Sequence, residues 1–420
     1  MSGALSFGEA FRVWSKIGVI SFGGPAGQIA LMQRIVVDEK GWLTERQFLN
    51  ALGFCMLLPG PEAMQLATYA GWRMHGVRGG LAAGGMFVLP GAIVIATLAS
   101  LYVMFGSAPL VAALFTGIKA AVVIIVIEAL LKVAKRALNG VDHWIIAAAA
   151  FIALFFFNFP YPLIVLLAGL YGFICTARSV EKSVEVRPAY GDLVKTTALW
   201  LTIWWAPLLA VMVLAPNSVL SQLGVFFSKL AVVTFGGAYA VLAYMAQDVV
   251  DAKAWLTAGE MLDGLGLAET TPGPLILVTE FVGFLAGFKN GGWGTAFAAA
   301  AVTLWATFIP CFLWIFAGAP YIEWISANPR LRGALAAITA AVVGVILKLS
   351  LWFALHVFFL DLQTVQFGLA EFLVPDASSI DWQALAISVL AGVLLLVRHW
   401  NLMVVLFVCG LSGMTLSFLG

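Results

Sequence analysis

Long apolar stretches constrain this chain more than any other feature of its sequence. Residues 81–105, 111–131 and 334–360 each exceed the roughly 18 to 20 mostly apolar residues that a helix needs to cross a bilayer. The chain is 62% hydrophobic and only 10% charged, which is too little charge for the surface of a water-soluble domain. Because unpaired backbone amides cannot face lipid, the sequence predicts an all-α, polytopic membrane protein.

Charge and cysteine content exclude several classes of function. The formal net charge is +1 and no tract of Lys and Arg is present, so no nucleic-acid partner is expected. The four cysteines lie far apart without metal-ligand spacing, and we expect neither a metal nor a cofactor. No catalytic constellation is recognisable, so an enzyme is not expected. The lipid bilayer is the partner that the composition requires, and the oligomeric state stays open, a homo-oligomer included.

The chain contains an internal duplication. A shift of 213 residues aligns residues 15–61 with 228–274 without a gap, and 21 of these 47 positions are identical. Further similarities, such as AAVV at 120–123 and 340–343, indicate that the whole half is repeated. We therefore predict an N-terminal repeat at 1–176, a hydrophilic loop and linker span at 177–214, and a C-terminal repeat at 215–420.

The number of membrane crossings depends on whether the broken elements that recur in both repeats cross the membrane. If the element centred on PGP crosses the membrane, the chain has about 13 spans and the single linker span makes the two repeats inverted. If it re-enters and returns, about 11 spans and two re-entrant hairpins remain. The distribution of Lys and Arg favours the first alternative.

Two kinds of helix break recur at matched positions of the repeats. SFGG at 21–24 aligns with TFGG at 234–237, and PGP at 59–61 aligns with PGP at 272–274. A single proline or glycine is typical of an ordinary kink in a membrane helix. Two matched sets instead favour a site at the repeat interface, where freed amides and helix N-termini attract anions.

Polar side chains next to these breaks complete the predicted site. Lys16 and Lys229 align in otherwise apolar helices and would supply positive potential, although lysines near a helix end also extend to the membrane interface. Glu62 can cap a helix N-terminus, whereas Glu269 lies in a more apolar setting and is our candidate for proton coupling. We also expect Glu128 and Lys348, which align through AAVV, to form a structural pair. The substrate-binding candidates are Lys16, Ser21, Gly23, Gly24, Pro59, Gly60, Pro61, Glu62, Gln65, Lys229, Thr234, Gly236, Gly237, Thr270, Thr271, Pro272, Gly273 and Pro274.

Four segments resemble the signature segments of the chromate ion transporter family in its long, two-domain form. They are SFGGPAGQIALM, LLPGPEAMQLATYAGWRMHG, VTFGGAYAVLAYM and ETTPGPLILVTEFVGFLAG. The resemblance covers nearly the entire chain. It implies export of chromate from the bacterial cytoplasm across the inner membrane, driven by the membrane potential or a proton gradient, with two homologous domains of opposite orientation. After the second FGG, Ala238 occupies the position that corresponds to the proline after the first FGG.

The identity of the solute rests on this resemblance alone. Sulfate is a near isostere of chromate, so an importer or exchanger of sulfate or another oxyanion is an alternative. A passive channel for the same anions is a further one.

Overall fold

The computed structural model describes residues 6–176, 190–235, 237–322, 328–368 and 370–418, and these residues confirm the predicted helical architecture. The first-half helices are α1 (Phe7–Ile20), α2 (Gly24–Gln33), α3 (Glu45–Cys55), α4 (Glu62–Phe105), α5 (Pro109–Ala137), α6 (Val141–Phe157) and α7 (Tyr161–Cys175). A linking helix, α8, is Tyr190–Leu214. The second-half helices are α9 (Val219–Val233), α10 (Ala238–Gln247), α11 (Ala258–Thr270), α12 (Val278–Gly318), α13 (Pro329–Phe358), α14 (Trp382–Gly392) and α15 (Leu402–Ser417).

The described helices include enough long apolar ones for a multi-pass membrane protein. Five of them are long and apolar enough to cross a membrane, and five shorter apolar helices accompany them. The five long segments are Glu62–Phe105, Pro109–Ala137, Asp192–Leu214, Leu275–Tyr321 and Pro329–Phe358. Helix length alone does not decide which of the shorter helices cross, so the expected count of about 13 spans stays a prediction.

Local backbone geometry repeats along with the sequence. A π-helical segment follows α2 at Arg34–Glu39, and another follows α10 at Asp248–Ala252. Gly41 and Ala254, which are 213 residues apart, both adopt positive φ angles, of 60° and 49°. Since a left-handed alanine is strained, the shared conformation reflects a repeated backbone rather than a local sequence preference.

The second half contains an element that the sequence analysis did not predict. Strands β1 (Leu362–Phe367) and β2 (Ala370–Pro375) form an antiparallel hairpin between α13 and α14. At the corresponding place in the first half, only residues 138–140 separate α5 from α6.

The chain divides into two compact units, and each contains segments of both sequence halves. Unit 1 comprises Met1–Ala99, Ala177–Ala238 and Thr271–Arg332. Unit 2 comprises Ser100–Thr176, Tyr239–Thr270 and Gly333–Gly420. The predicted repeat boundaries remain a prediction, and residues 177–189 of the expected hydrophilic loop lie outside the described residues.

In unit 1, helices α4 and α12 are each helical hairpins. The turn of α4 lies at His75 and Gly76, where the helical φ and ψ angles are lost and Gly76 has φ 61°. Beyond it, the two arms pack so closely that a Cβ on Gly71 would lie 2.3 Å from the carbonyl oxygen of Gly79. In α12, Gly292 with φ 70° marks the corresponding turn.

The FGG element of the first half also folds back on itself. Lys40, just after the π-helical segment, lies 2.8 Å from Glu9 in the first turn of α1. If α1 and the following helix were collinear, these residues would be more than about 40 Å apart at 1.5 Å per residue. The chain therefore enters along α1, turns at FGG and returns to the end where it began.

The first PGP element returns to that same end. Helix α3 begins a few residues after Lys40, and the arm that follows PGP ends at His75. The ring of His75 lies 5.6 Å from the ring of Phe7, next to the pair formed by Glu9 and Lys40. The FGG and PGP elements of the first half are thus both hairpins. Each has its break at the end opposite to Glu9 and Lys40.

In unit 2, helix α5 packs against α11, α14 and α15 through small residues. A Cβ on Gly117 would lie 2.0 Å from the carbonyl oxygen of Cys409, and one on Gly413 would lie 2.4 Å from that of Ala113. Such close backbone contacts are typical of helix packing in membranes, where association depends on van der Waals contact.

The expected pair of Glu128 and Lys348 is wrong. Glu128 instead lies 2.7 Å from Lys132, one turn further along α5, and the Lys348 ammonium donates to the side-chain oxygen of Gln247 at 2.7 Å. Each group is satisfied by a neighbour that alignment of the repeats does not reveal.

Candidate functional site

The FGG breaks end their helices in the same way in both halves. Ser21 is the C-cap residue of α1 and Thr234 that of α9, and both are buried. The matched residues Gly24 and Gly237 have φ angles of 68° and 97°, and Gly23 has a φ angle of 87°. A Cβ on Gly23 would meet no atom within 4 Å, so the left-handed turn, rather than lack of space, requires glycine there.

In the PGP breaks, glycine supplies the sole backbone donor. Prolines have no N–H, so each Pro-Gly-Pro motif offers one amide proton. Gly60 and Gly273 both have positive φ angles, of 113° and 87°, which turns this N–H away from the direction of the preceding helix. The single donor of each motif is therefore free for a contact outside its own helix.

The four loops pair reciprocally within unit 1. The N–H of Gly60 donates to the carbonyl oxygen of Thr234 at 3.0 Å, and the N–H of Gly273 donates to that of Ser21 at 2.9 Å. Each PGP loop thus binds the FGG loop of the other half. A shift of 213 residues converts one bond into the other, which is the relation expected for two repeats around a pseudo-twofold axis.

Two buried glutamines of the first half support the PGP loops. The Gln28 side-chain amide donates to the carbonyl oxygen of Gly273, and that of Gln65 donates to the carbonyl oxygen of Pro59 at 2.7 Å. Both side-chain oxygens are buried and have no hydrogen-bond partner among the described residues. These acceptors are unusual, because buried polar atoms are normally paired.

The predicted hydroxyl donors differ in availability. Thr234 and Thr270 donate to carbonyl oxygens of their own helices, at Leu230 and Leu267. The Ser21 hydroxyl is buried without a hydrogen-bond partner in the described part of the chain. Of these three hydroxyls, Ser21 alone has a proton to offer a solute in this conformation.

Glu62 lies at the crossing of the first PGP loop with the second FGG loop. It is the first residue of α4, and its carboxylate oxygen would lie 3.6 Å from a Cβ on Gly237. This position agrees with a capping role at a helix N-terminus. The first residue of α12 is Val278, so the second PGP loop lacks an acidic residue at the equivalent place.

The two predicted lysines are exposed. On α1, Lys16 lies away from the buried face formed by Trp14 and Ile17, and on α9, Lys229 is exposed while its neighbours Ser228 and Leu230 are buried. Neither ammonium group is enclosed by the paired loops. Their exposure agrees with the second interpretation of these lysines, in which they extend to the membrane interface.

The candidate for proton coupling, Glu269, lies in unit 2 and is 2% exposed. The Tyr239 hydroxyl donates to its carboxylate at 2.8 Å. Both residues lie next to the breaks in the chain, since Tyr239 follows FGG and Glu269 precedes PGP.

The other predicted residues complete the loops. Gly24 begins α2 with φ 68°, and Thr271 is buried directly before the second PGP. Gly236 lies outside the described residues. Gln28 and Tyr239 were not among the residues predicted for the site. Their signal was available, because each is a polar residue in an apolar stretch next to a break.

Taken together, the loops offer backbone dipoles, two carboxamides and a hydroxyl. None of these groups forms a nucleophile and base pair, so the arrangement suits binding of a polar solute rather than a bond-breaking reaction. A charged residue, Glu62, directly follows the first PGP motif, whereas Leu275 follows the second.

Comparison with known proteins gives the same family as the sequence motifs. The chain matches the family described as Chromate transporter over residues 8–173 and 221–414. It is 31% identical to a chromate transport protein of Pseudomonas aeruginosa over 351 residues, which cover 81% of this chain and 80% of the relative. No solved structure matches the chain.

Two further relatives differ in length. A probable chromate transport protein of Synechococcus elongatus is 28% identical over 87% of this chain and 89% of the relative. An uncharacterized transporter of Bacillus subtilis is 26% identical over 39% of this chain, which is 93% of that relative. The family is one of transporters and not of enzymes, and from the two matched segments and the full-length relatives we conclude that this chain belongs to the chromate transporter family.

Proposed function

We propose that this protein is a secondary active transporter that exports chromate, a tetrahedral dianion, across the bacterial inner membrane. The observation that carries this proposal is the reciprocal pairing of the FGG and PGP loops. It brings four breaks, which would each be costly in lipid, to shared crossings inside one unit. The names of the Pseudomonas and Synechococcus relatives support chromate as the solute.

The anion would bind at these crossings. Helix N-termini after the PGP loops carry positive partial charge, which favours an anion there. Glu62 already faces the first crossing, whereas Val278 stands at the equivalent place in α12. We therefore assign the dianion to the contact between the second PGP loop and the first FGG loop, where Ser21 has an unpartnered hydroxyl.

Proton coupling would involve Glu269. Its carboxyl group is buried, and Tyr239 provides a hydrogen-bond donor that stabilises the ionised form. Alternation between Tyr-bound carboxylate and neutral acid would let Glu269 take up and release a proton during the cycle. Movement of one repeat against the other would expose the site to each side in turn.

The fold-back of the first half favours re-entrant elements over crossing ones, for FGG as well as for PGP. The five basic residues of 34–78 then lie near one end of unit 1, and they are Arg34, Lys40, Arg46, Arg73 and Arg78. The corresponding stretch of the second half, 247–294, has only Lys253 and Lys289. Because positive charge accumulates on the cytoplasmic side, we propose inverted repeats with fewer than 13 crossings and the first-half basic end in the cytoplasm.

Transport into inverted vesicles tests the function directly. We expect vesicles that contain the protein to accumulate labelled chromate when a membrane potential or pH gradient is imposed, and vesicles without the protein to accumulate none. Labelled sulfate is measured in parallel, since accumulation of sulfate alone would assign the protein to the alternative oxyanion. Equilibration of chromate without accumulation would contradict active transport and indicate a channel.

Substitution of the exposed lysines tests their contribution. We expect Lys16→Ala and Lys229→Ala each to weaken the apparent affinity for chromate about fivefold, which corresponds to ~1 kcal/mol. The reason is that an exposed ammonium attracts a dianion through a screened field, so added salt should shrink the effect. Arg12→Ala, one turn earlier on the exposed face of α1, is the control. Wild-type affinity in both lysine variants would remove these residues from the site.

A further inference from the structure

Glu280 is a buried carboxyl group for which neither the motifs nor the relatives provide a role. It is the third residue of α12, six positions after the second PGP motif, and is 2% exposed. Its Oε2 atom is buried and has no hydrogen-bond partner in the described residues. It therefore differs from Glu269, which accepts a hydrogen bond from Tyr239.

No cation of the described residues lies within ion-pair distance of Glu280. Helices α8 and α9 make the most extensive contacts with α12, and α4 also packs against it, since a Cβ on Gly84 would lie 2.8 Å from the ring of Phe312. On α4, Glu62 is the first residue, and Arg73 and Arg78 are exposed near the turn. The other acidic and basic residues of α8, α9 and α12 are exposed as well. They are Asp192, Lys195, Lys229 and Lys289. Among the described residues, none of these four forms an ion pair with Glu280. An ionised carboxylate in this position would be strongly unfavourable.

Packing of the repeat does not require an acid here. Counted from the first residue of α4 and of α12, Glu280 corresponds to Met64, which is fully buried in the same type of hairpin arm. In the second half, the three-residue turn Leu275–Leu277 separates PGP from this arm. A carboxyl group retained at a position where a methionine packs equally well is an energetic liability unless it has a function.

We propose that Glu280 is a proton-binding site of the transport cycle, neutral in the conformation described and ionised when α12 is exposed to water. The inference rests on the proposed transport function. The proton would bond to a carboxylate oxygen from water on one side of the membrane and leave to water on the other, so no other bond forms or breaks. Its place in the α12 arm that begins after the second PGP would couple protonation to movement of that loop.

Separate measurements of exchange and of driven accumulation test this role. In vesicles, we expect Glu280→Gln to retain exchange of internal for external chromate, because the neutral amide mimics the protonated acid. The variant should lose accumulation driven by a pH gradient. Glu280→Asp, which keeps a titratable group, should retain it in part, and Glu45→Gln on the exposed start of α3 is the control. Accumulation by Glu280→Gln at the wild-type level would overturn the proposal.

A spectroscopic readout keeps this inference separate from the identity of the solute. Infrared difference spectra of the purified protein between acidic and alkaline conditions should contain a carboxylic-acid carbonyl band that Glu280→Gln lacks. If wild-type vesicles do not transport chromate but this band is present, the proposed function fails while the proton site stands. Identical spectra for the wild type and Glu280→Gln would overturn the proton site.

Discussion

Gly91→Ala is expected to abolish transport while the neighbouring substitution Gly85→Ala leaves it intact. A Cβ on Gly91 would lie 2.2 Å from the carbonyl oxygen of Pro272 and 2.5 Å from a methyl group of Leu277. The first contact is with backbone of the second PGP loop, which cannot rotate away as a side chain can. Overpacking of this kind costs about 1–3 kcal/mol, and relief would require displacement of the loop that binds Ser21.

The measurement combines chromate uptake into vesicles with the thermal unfolding midpoint in detergent. Gly85 is on the same arm of α4, and a Cβ there would meet no atom within 4 Å. Alanine at this position should therefore leave uptake unchanged and raise the midpoint slightly, because alanine favours helix over glycine. Wild-type uptake by Gly91→Ala would show that the close approach to Pro272 does not matter for the site.

The largest loss of stability is expected for Lys119→Met in unit 2. The Lys119 ammonium lies 3.2 Å from Asp263, whose side chain is 5% exposed, and the Tyr102 hydroxyl donates to the other carboxylate oxygen at 2.7 Å. Removal of the cation leaves a buried carboxylate with a single neutral partner. Breaking a buried pair in this way costs about 3–5 kcal/mol, to be measured as the free energy of unfolding in detergent with added denaturant.

Lys132→Met is the matched control on the same helix. Lys132 pairs with Glu128 at 2.7 Å, but its side chain is 62% exposed, and such pairs are worth about 0–1 kcal/mol. The double variant Lys119→Met with Asp263→Asn should recover part of the loss, since no buried charge is then left. Equal effects of the two lysine substitutions would contradict the assignment of a buried pair.

The breaks in the helices were more predictable from the sequence than their arrangement in space. The duplication and the matched FGG and PGP breaks follow from identities and from the chemistry of proline and glycine, and the four loops do meet within unit 1. The direction of the chain between the breaks could not be predicted. A helix that turns back at FGG and one that continues have the same apolar pattern, and only a contact such as that of Glu9 with Lys40 distinguishes them.

Side-chain environments were the least predictable part. The alignment of the repeats matches Lys16 with Lys229, but it could not determine that both side chains are exposed. An apolar helix gives little indication of which of its faces is buried. The alignment also suggested a pair between Glu128 and Lys348, although each is satisfied by a closer neighbour. Glu280 was missed because it lies where the second half has an additional three-residue turn, which interrupts the alignment.

The exchange of hydrogen bonds between the loops bears on how such a chain arose. A half-length ancestor, comparable in size to the Bacillus relative, could form both bonds only by association of two copies. Gene fusion joins the two copies in one chain, so that their sequences can then differ. One copy can then specialise in polar support, as with Gln28 and Gln65, while the other acquires an isolated acid such as Glu280.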